Sequence, residues 1–394
     1  MPSDTPPNEE DMRYEFVIDA YLEGKEEGST GPWGFSIEQP FAEDFVYEIK
    51  NFFIGSRIRN FARQVGKYSE NKGKAILLIG PDGIGKTTLV RKFVEILGNA
   101  TPSIRATYRR ICKQASTLGT QPNDEDLLIS TAGFEGAIRR IDIAETEIFI
   151  LDDADILCGD IPRILDEISQ NIETHHINIL IISPSTYKWL VKNDSDVLRQ
   201  YILRLIEMEP YEKEDIIELL KRRIEYFKDE NGLYPFTQES LEKIADHSLG
   251  LPRLALKLAD GCFLDFKGID EIDKEDVDRQ AKEQNFVTAK KIAEGNEEYW
   301  GGTTGEVLAE LAISLSPIEQ QEKLTEKEGT SSAELVERVS PSSQSTTSYH
   351  LKKLVKGGIV RTKKVGRNQI YTLSTPIRNA VELALMSGKY LQIG

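Results

Sequence analysis

The 394-residue chain has little cysteine: Cys112, Cys158 and Cys262 are its only thiols, far apart, with no C-x-x-C pair and no histidine cluster beside them. That spacing excludes a disulfide framework, argues against a zinc site, and reads as inert thiols in a reducing compartment. Long apolar runs are lacking too. The longest, AILLI (75–79), IFIL (148–151) and ILII (179–182), are far too short to cross a bilayer. The first residues, MPSDTPPNEEDM, are polar and acidic, with no basic stretch ahead of an apolar one, which is not the pattern of a secretory signal. A soluble cytoplasmic protein with no membrane partner is expected. Positive charge is also short: 49 Lys and Arg stand against 65 Asp and Glu, a net charge of -16. Any nucleic-acid binding must therefore use a local patch and not the overall field. No internal repeat with a period of about 20–50 residues is present, which excludes a solenoid.

The length that remains is ample for two or three domains with sizeable cores. Residues 1–50 read as a partly disordered lead-in. From there to 209, short apolar runs alternate with stretches of helical spacing: RIRNFARQV, KAILLIG, KTTLVRKFVEILG closed by Gly98, EIFILDDAD, IPRILDEISQNIETH and INILIISPS. Strands alternating with helices predict a parallel sheet covered on both faces. Residues 99–145 carry less pattern, and one strand with one or two helices is expected there. From 210 to 285 the pattern turns all-helical, as in YEKEDIIELLKRRIEYFK and LPRLALKLADGCFLDF, and reads as a helical lid. Residues 286–303 are expected as a linker and 304–394 as a last unit, with SPIEQQEKLTEKEGT as a surface insertion.

GPDGIGKTT (80–88) follows the buried run AILLI and matches G-x-x-x-x-G-K-[ST]. Gly80, Gly83 and Gly85 let backbone N–H groups point inward at phosphate oxygens, and Ile84 and Thr88 complete the loop. The helix opening at Lys86 adds its positive end. Lys86 is expected to reach the β- and γ-phosphates, and Thr87 to ligate Mg²⁺. The run IFILDDAD ends in Asp152, placed to hold that Mg²⁺, and Asp153, placed to orient the attacking water. At the end of ILIISPS, Ser183 and Ser185 both qualify as the polar group facing the γ-phosphate, with Ser183 as the catalytic candidate. Arg253, in the first turn of a lid helix, is placed to reach the γ-phosphate and report its loss. Pro252 is expected against the adenine. Arg199 and Arg204 fall between sheet and lid, and Arg199 is the candidate arginine finger toward a neighbouring subunit.

Together GIGKTTL, LDDAD and GLPRLAL resemble the P-loop ATPases of the AAA+/STAND division over roughly residues 40–285. The resemblance implies an α/β parallel-sheet P-loop (AAA+-like) domain with a helical lid, binding ATP and Mg²⁺. Two branches share these features. GIGKTTL, the Asp-Asp pair and GLP resemble STAND signalling switches. ILDDADILCGDIPRILDEI, EMEPYEKEDIIELLKRRI and Arg253 after Gly250 resemble the origin-recognition and initiator ATPases, archaeal relatives included. Asp153 departs from the Glu of most initiators. Being one methylene shorter, it sets the water about 1 Å from ideal, which can cost on the order of 10²-fold in rate. The repeat array that follows in STAND proteins is missing.

The segment SSAELVERVSPSSQSTTSYHLKKLVKGGIVRTKKVGRNQIYTLS reads as helix, turn, helix and a two-stranded hairpin. It resembles the winged helix-turn-helix of arsenic-repressor-type regulators over about 331–374, with Thr304–Leu315 as a further helix. Residues 331–394 hold ten Lys and Arg against three Glu, a net of +7 inside an acidic chain. Ser345, Thr346, Thr347 and Tyr349 open the second helix, where groove contacts are made. Lys352, Lys353, Arg361, Lys363, Lys364 and Arg367 are placed for phosphates or the minor groove. His350 fits the groove face or a buried position equally. The expectation is an ATP-binding, slowly hydrolysing ATPase that binds double-stranded DNA and assembles on it as a homo-oligomer. It would act as a nucleotide-controlled switch in replication initiation or mobile-element DNA transactions. A STAND-type signalling, transcriptional or defence ATPase and a protein-binding scaffold are the alternatives, and any protein partner is left unknown.

Overall fold

The computed structural model describes residues 41, 55–68, 74–100, 106–112, 126–128, 148–155, 161–170, 177–227, 233, 235–266, 271–313, 330–339, 343–365 and 368–388. The lead-in apart from Phe41, the expected insertion apart from Thr330, and Arg367 lie outside the described residues.

Six parallel strands form one sheet in the order β3-β2-β4-β5-β1-β6. They are β1 (Ala75–Ile79), β2 (Ala106–Cys112), β3 (Asp126–Leu128), β4 (Ile148–Asp152), β5 (Ile177–Ile182) and β6 (Ile202–Glu207). β1, β4 and β5 are buried along their whole length, as continuous apolar runs demand when both faces are covered. On one face Ile76 and Leu78 pack with Phe61, Val90 and Phe93 and run on into the lid. On the other, Leu77, Ile79, Phe149 and Leu151 pack with Ile161, Leu165 and Leu190. β6 went unread in the sequence because it is an edge strand with only Ile206 buried. In that sheet order β4, β5 and β1 are adjacent, so their carboxyl ends meet at one edge.

The covering helices are α1 (Gly55–Tyr68), α2 (Lys86–Ala100), α3 (Ile161–Gln170), α4 (Pro184–Asn193) and α5 (Ser195–Tyr201). α2 runs through Gly98, which does not close it. The lid helices are α6 (Lys213–Phe227), α7 (Gln238–His247), α8 (Pro252–Asp265) and α9 (Lys274–Glu283). Thr237 caps α7 through the Ser240 amide, and Asp273 with Asp276 forms a capping box on α9.

Residues 286–303 hold helices where a linker was expected: α10 (Phe286–Ala293) and α11 (Glu297–Trp300), followed by α12 (Thr303–Ala312). Ala289, Ile292 and Trp300 sit in one core with Val307 and Leu308 of α12, and the Trp300 Nε1–H donates to Ile292 O at 2.7 Å. The same core takes Leu335 from α13 (Ser332–Arg338), Leu351 and Leu354 from α14 (Gln344–Lys356), and Ile377, Ala380, Val381 and Ala384 from α15 (Thr375–Met386). The charged residues of 286–303 hid this apolar stripe. An antiparallel sheet, β7 (Thr330–Ser331), β9 (Asn368–Leu373) and β8 (Val360–Val365), completes the winged unit. No described helix is long and apolar enough to cross a membrane.

Candidate nucleotide site and nucleic-acid face

The loop from Gly80 to Thr88 leaves β1 at the carboxyl edge and enters α2. Gly83 and Gly85 take φ of +77° and +101°, a region that costs side-chain-bearing residues dearly. At Gly83 a Cβ would also strike the Arg253 side chain. The lid rests on the loop there: the Arg253 N–H donates to Gly83 O at 3.3 Å. Its guanidinium pairs with the Asp82 carboxylate. Burial raises the Asp82 carboxyl, but Arg253 and Lys86 together hold it below its ordinary range. Lys86 Nζ lies folded over the loop, donating to Gly80 O at 2.6 Å and Pro81 O at 3.0 Å. Ile84 is wholly buried beneath it. Thr88 follows Thr87 in the first turn of α2.

Asp152, only 1% exposed at the end of β4, accepts from the Thr87 hydroxyl at 2.7 Å. The Tyr108 hydroxyl on β2 donates to the same carboxylate oxygen at 2.7 Å, and the Asp153 amide donates to the other at 2.9 Å. Burial and the Asp152 charge push the Tyr108 hydroxyl far up, so it stays a donor. The pattern-poor stretch before residue 145 gave no signal for Tyr108. A hydroxyl and a carboxylate at the foot of a phosphate loop are hard oxygen donors of the kind Mg²⁺ takes alongside phosphate and water. The pair therefore fits that ion. Asp153 has φ of +55°, a strained value for a residue other than glycine, though Asp tolerates it better than most.

Ser183 follows β5 and caps α4, accepting from the Thr186 amide at 3.3 Å. Its own amide and hydroxyl both donate to Asp155, at 2.7 and 2.8 Å. The last acid of LDDAD, left unassigned in the sequence, thus ties the end of β4 to the end of β5. Ser185 is fully buried, with its Oγ 2.9 Å from Ser183 Oγ and 3.5 Å from Glu382 Oε1 on α15. Glu382 Oε2 accepts from the Asp82 amide at 3.0 Å, bringing the winged unit onto the phosphate loop. Nothing in the sequence pointed to Glu382, because its partner lies 300 residues away.

Leu249 and Gly250 both carry positive φ and turn the chain into α8, where Pro252 takes the first helical position. A Cβ on Gly250 would lie 2.5 Å from Tyr211 O, so only glycine lets the lid approach the hinge. Arg57 stands 3.4 Å over the Tyr211 ring and donates to Glu209 O and Pro210 O, tying α1 to that hinge. Arg199 is not brought to the loop. Its side chain is 83% exposed beside Asp196, and Arg204 is also exposed.

On the winged unit, Ser345, Lys352, Lys353, Arg361, Lys363 and Lys364 are exposed, Tyr349 is 65% exposed and Thr346 is half-buried. Lys356, not singled out in the sequence, extends that face. Thr347 corrects the expected set. It is fully buried on the inner face of α14, sharing the i, i+4, i+7 row of Leu351 and Leu354. His350 Nδ1 lies 2.7 Å from the Thr304 hydroxyl, joining α14 to α12.

A loop between β1 and α2, acids ending β4 one strand removed from β1, and a lid resting on the loop make this the AAA+-type P-loop fold. The C-terminal unit is a winged helix-turn-helix. A family model described as a helix-turn-helix domain matches residues 322–363. No functionally curated protein matches the chain. Among solved structures, the chain resembles the Aeropyrum pernix ORC1 protein in complex with DNA, at 17% identity and a TM-score of 0.47, over 90% of this chain and 97% of that one. It resembles Cdc6p from Pyrobaculum aerophilum at 19% identity and a TM-score of 0.44, over 91% and 99%. It also resembles domain III of the Thermotoga maritima replication initiation protein DnaA, at 16% and 0.37, over 61% and 97%.

Proposed function

We propose that the chain is an ATP- and Mg²⁺-binding ATPase that binds double-stranded DNA through its winged helix and uses the nucleotide as a switch. The observation that carries the reading is the 2.7 Å contact between Thr87 and Asp152 beneath a glycine loop that the lid touches through Arg253. Thr87 and Asp152 hold Mg²⁺, which when bound neutralises charge on the phosphates. The loop amides and Lys86 bind the phosphates, Arg253 senses the γ-phosphate, and Asp153 orients water. Tyr211 and Arg57, at the loop's flank, border the base end with Pro252.

A short acid held at a strained φ supports slow hydrolysis. The exposed α14 and wing lysines support phosphate contacts along a DNA groove. Arg199, 83% exposed beside Asp196, is available to a neighbouring subunit on DNA. Action in replication initiation or mobile-element DNA transactions is the reading this combination favours. A signalling switch of STAND type has one observation of its own, the winged unit resting directly on the phosphate loop. Titration of ATP–Mg²⁺ into the full chain and into Lys86→Ala tests the site. We expect the substitution to abolish tight binding, and normal binding by Lys86→Ala would refute the assignment.

A further inference from the structure

Helix α15 belongs to the winged unit, yet it is buried on nearly every side. Ile377, Ala380, Val381 and Ala384 fill the winged core, while Leu383 packs against the core of the sheet and lid. Between these apolar faces projects an acid. Glu382 is 2% exposed and takes the Asp82 N–H through Oε2 at 3.0 Å. Among the described residues, its other oxygen meets only the long 3.5 Å approach of Ser185. A carboxylate withdrawn from water costs free energy unless it is well paired. Here the partner is an amide of a loop whose inward N–H groups suit an anion.

The acid's surroundings locate it within the site. Lys86 and Asp82 of the loop, Asp155 at the end of β4 and Arg378 on its own helix are the charged groups that bear on it. Ser185 adds the end of β5. Lys86 is the group that reaches the outer phosphates, and the ends of β4 and β5 flank the attacked phosphorus. Glu382 therefore stands on the γ side of the loop. Burial pushes its carboxyl up to about 7, against the pull of Lys86. One turn earlier, Asn379 is fully buried with neither amide atom partnered. Acid and amide together make a seam that is poorly satisfied for a permanent core, as a surface built to separate would be.

We propose that the carboxyl group of Glu382 and the nucleotide γ-phosphate compete for one position, so that the docked winged helix admits a nucleoside diphosphate and excludes a triphosphate. Glu382 is then the group that discriminates between ATP and ADP, and triphosphate binding frees α15. The proposal rests on the phosphate loop being a nucleotide site.

The test measures binding of ADP–Mg²⁺ and a non-hydrolysable ATP analogue to the full chain, to Glu382→Ala and to Lys86→Ala. Hydrogen exchange across residues 375–386 is followed in the unsubstituted protein with each nucleotide. Glu382→Ala should raise triphosphate affinity about tenfold or more while leaving ADP within about twofold. In the unsubstituted protein the triphosphate should speed exchange in α15 and ADP should not. If Glu382→Ala does not fold, the exchange result decides. Equal effects on both nucleotides, or α15 equally protected by both, overturn the proposal while Lys86-dependent binding leaves the site intact. Absence of any Lys86-dependent binding overturns both.

Discussion

Asp152 shows how much of the site rests on single side chains. Its carboxylate is fixed by a threonine from the loop, a tyrosine from the next strand and the amide of Asp153. Tyr108 holds the carboxylate proposed as a Mg²⁺ ligand, so on that reading it would act on the ion only through Asp152. Tyr108→Phe removes one hydrogen bond to a charged group, worth about 1.5–3 kcal/mol in typical cases. We expect it to weaken nucleotide binding roughly tenfold in the presence of Mg²⁺ and hardly at all in EDTA, a contrast that isothermal titration reads directly. Equal weakening under both conditions would mean that Tyr108 supports the fold and not the ion. Thr87 and Asp152 were legible in the sequence because a strand–loop–helix and a strand-end acid have local signatures. Tyr108 and Asp155 were not, because their roles come from strand neighbours that local spacing does not encode. Thr347 was misread for a related reason: a run of hydroxyl residues opens α14, and only the position of Leu351 and Leu354 reveals which of them face inward.

The helices and strands of the winged unit divide cleanly by face. The buried row of α14 holds the core, and its outer row joins the wing in a strip of exposed cations. That strip should bind DNA largely through phosphates, with an affinity that falls steeply with salt. Replacing Arg361 and Lys364 together by alanine should lower affinity and reduce the slope of log K against log salt by about 2. Fluorescence anisotropy at several salt concentrations measures both, and an unchanged slope would remove the wing from the interface. The element order of this unit was readable from its turns, caps and alternation. Helices α10 and α11 were not, since Ala289, Ile292 and Trp300 are interspersed with charged and glycine residues and acquire meaning only against α15 and α12.

Across the whole molecule the phosphate loop and the winged unit meet at Glu382. Its carboxyl rises from an ordinary value of 4.5 to about 7 when α15 is docked, so the docked state binds more protons than the undocked one. Linkage then gives the sign: docking is fully favoured below about 4.5 and weakens as pH climbs through about 7. In nucleotide-free protein, exchange in residues 375–386, corrected for intrinsic rate, should be slower at about pH 5.5 than at about pH 7.5, and Glu382→Ala should flatten the difference. Greater protection at the higher pH would contradict the assignment. A sequence reading reached the loop and the winged helix separately. Their contact was out of its reach, because a lone acid in an amphipathic helix gives no sign of a partner 300 residues distant.

The central claim is that the nucleotide is read as a signal and not spent as fuel. Steady-state ATP turnover with and without double-stranded DNA, beside a Lys86→Ala control, tests it most directly. The account predicts Lys86-dependent turnover on the order of 10⁻² per second or slower, with nucleotide retained between turnovers. Turnover well above about 1 per second, raised further by DNA, would show a working motor and contradict the role given to Asp153.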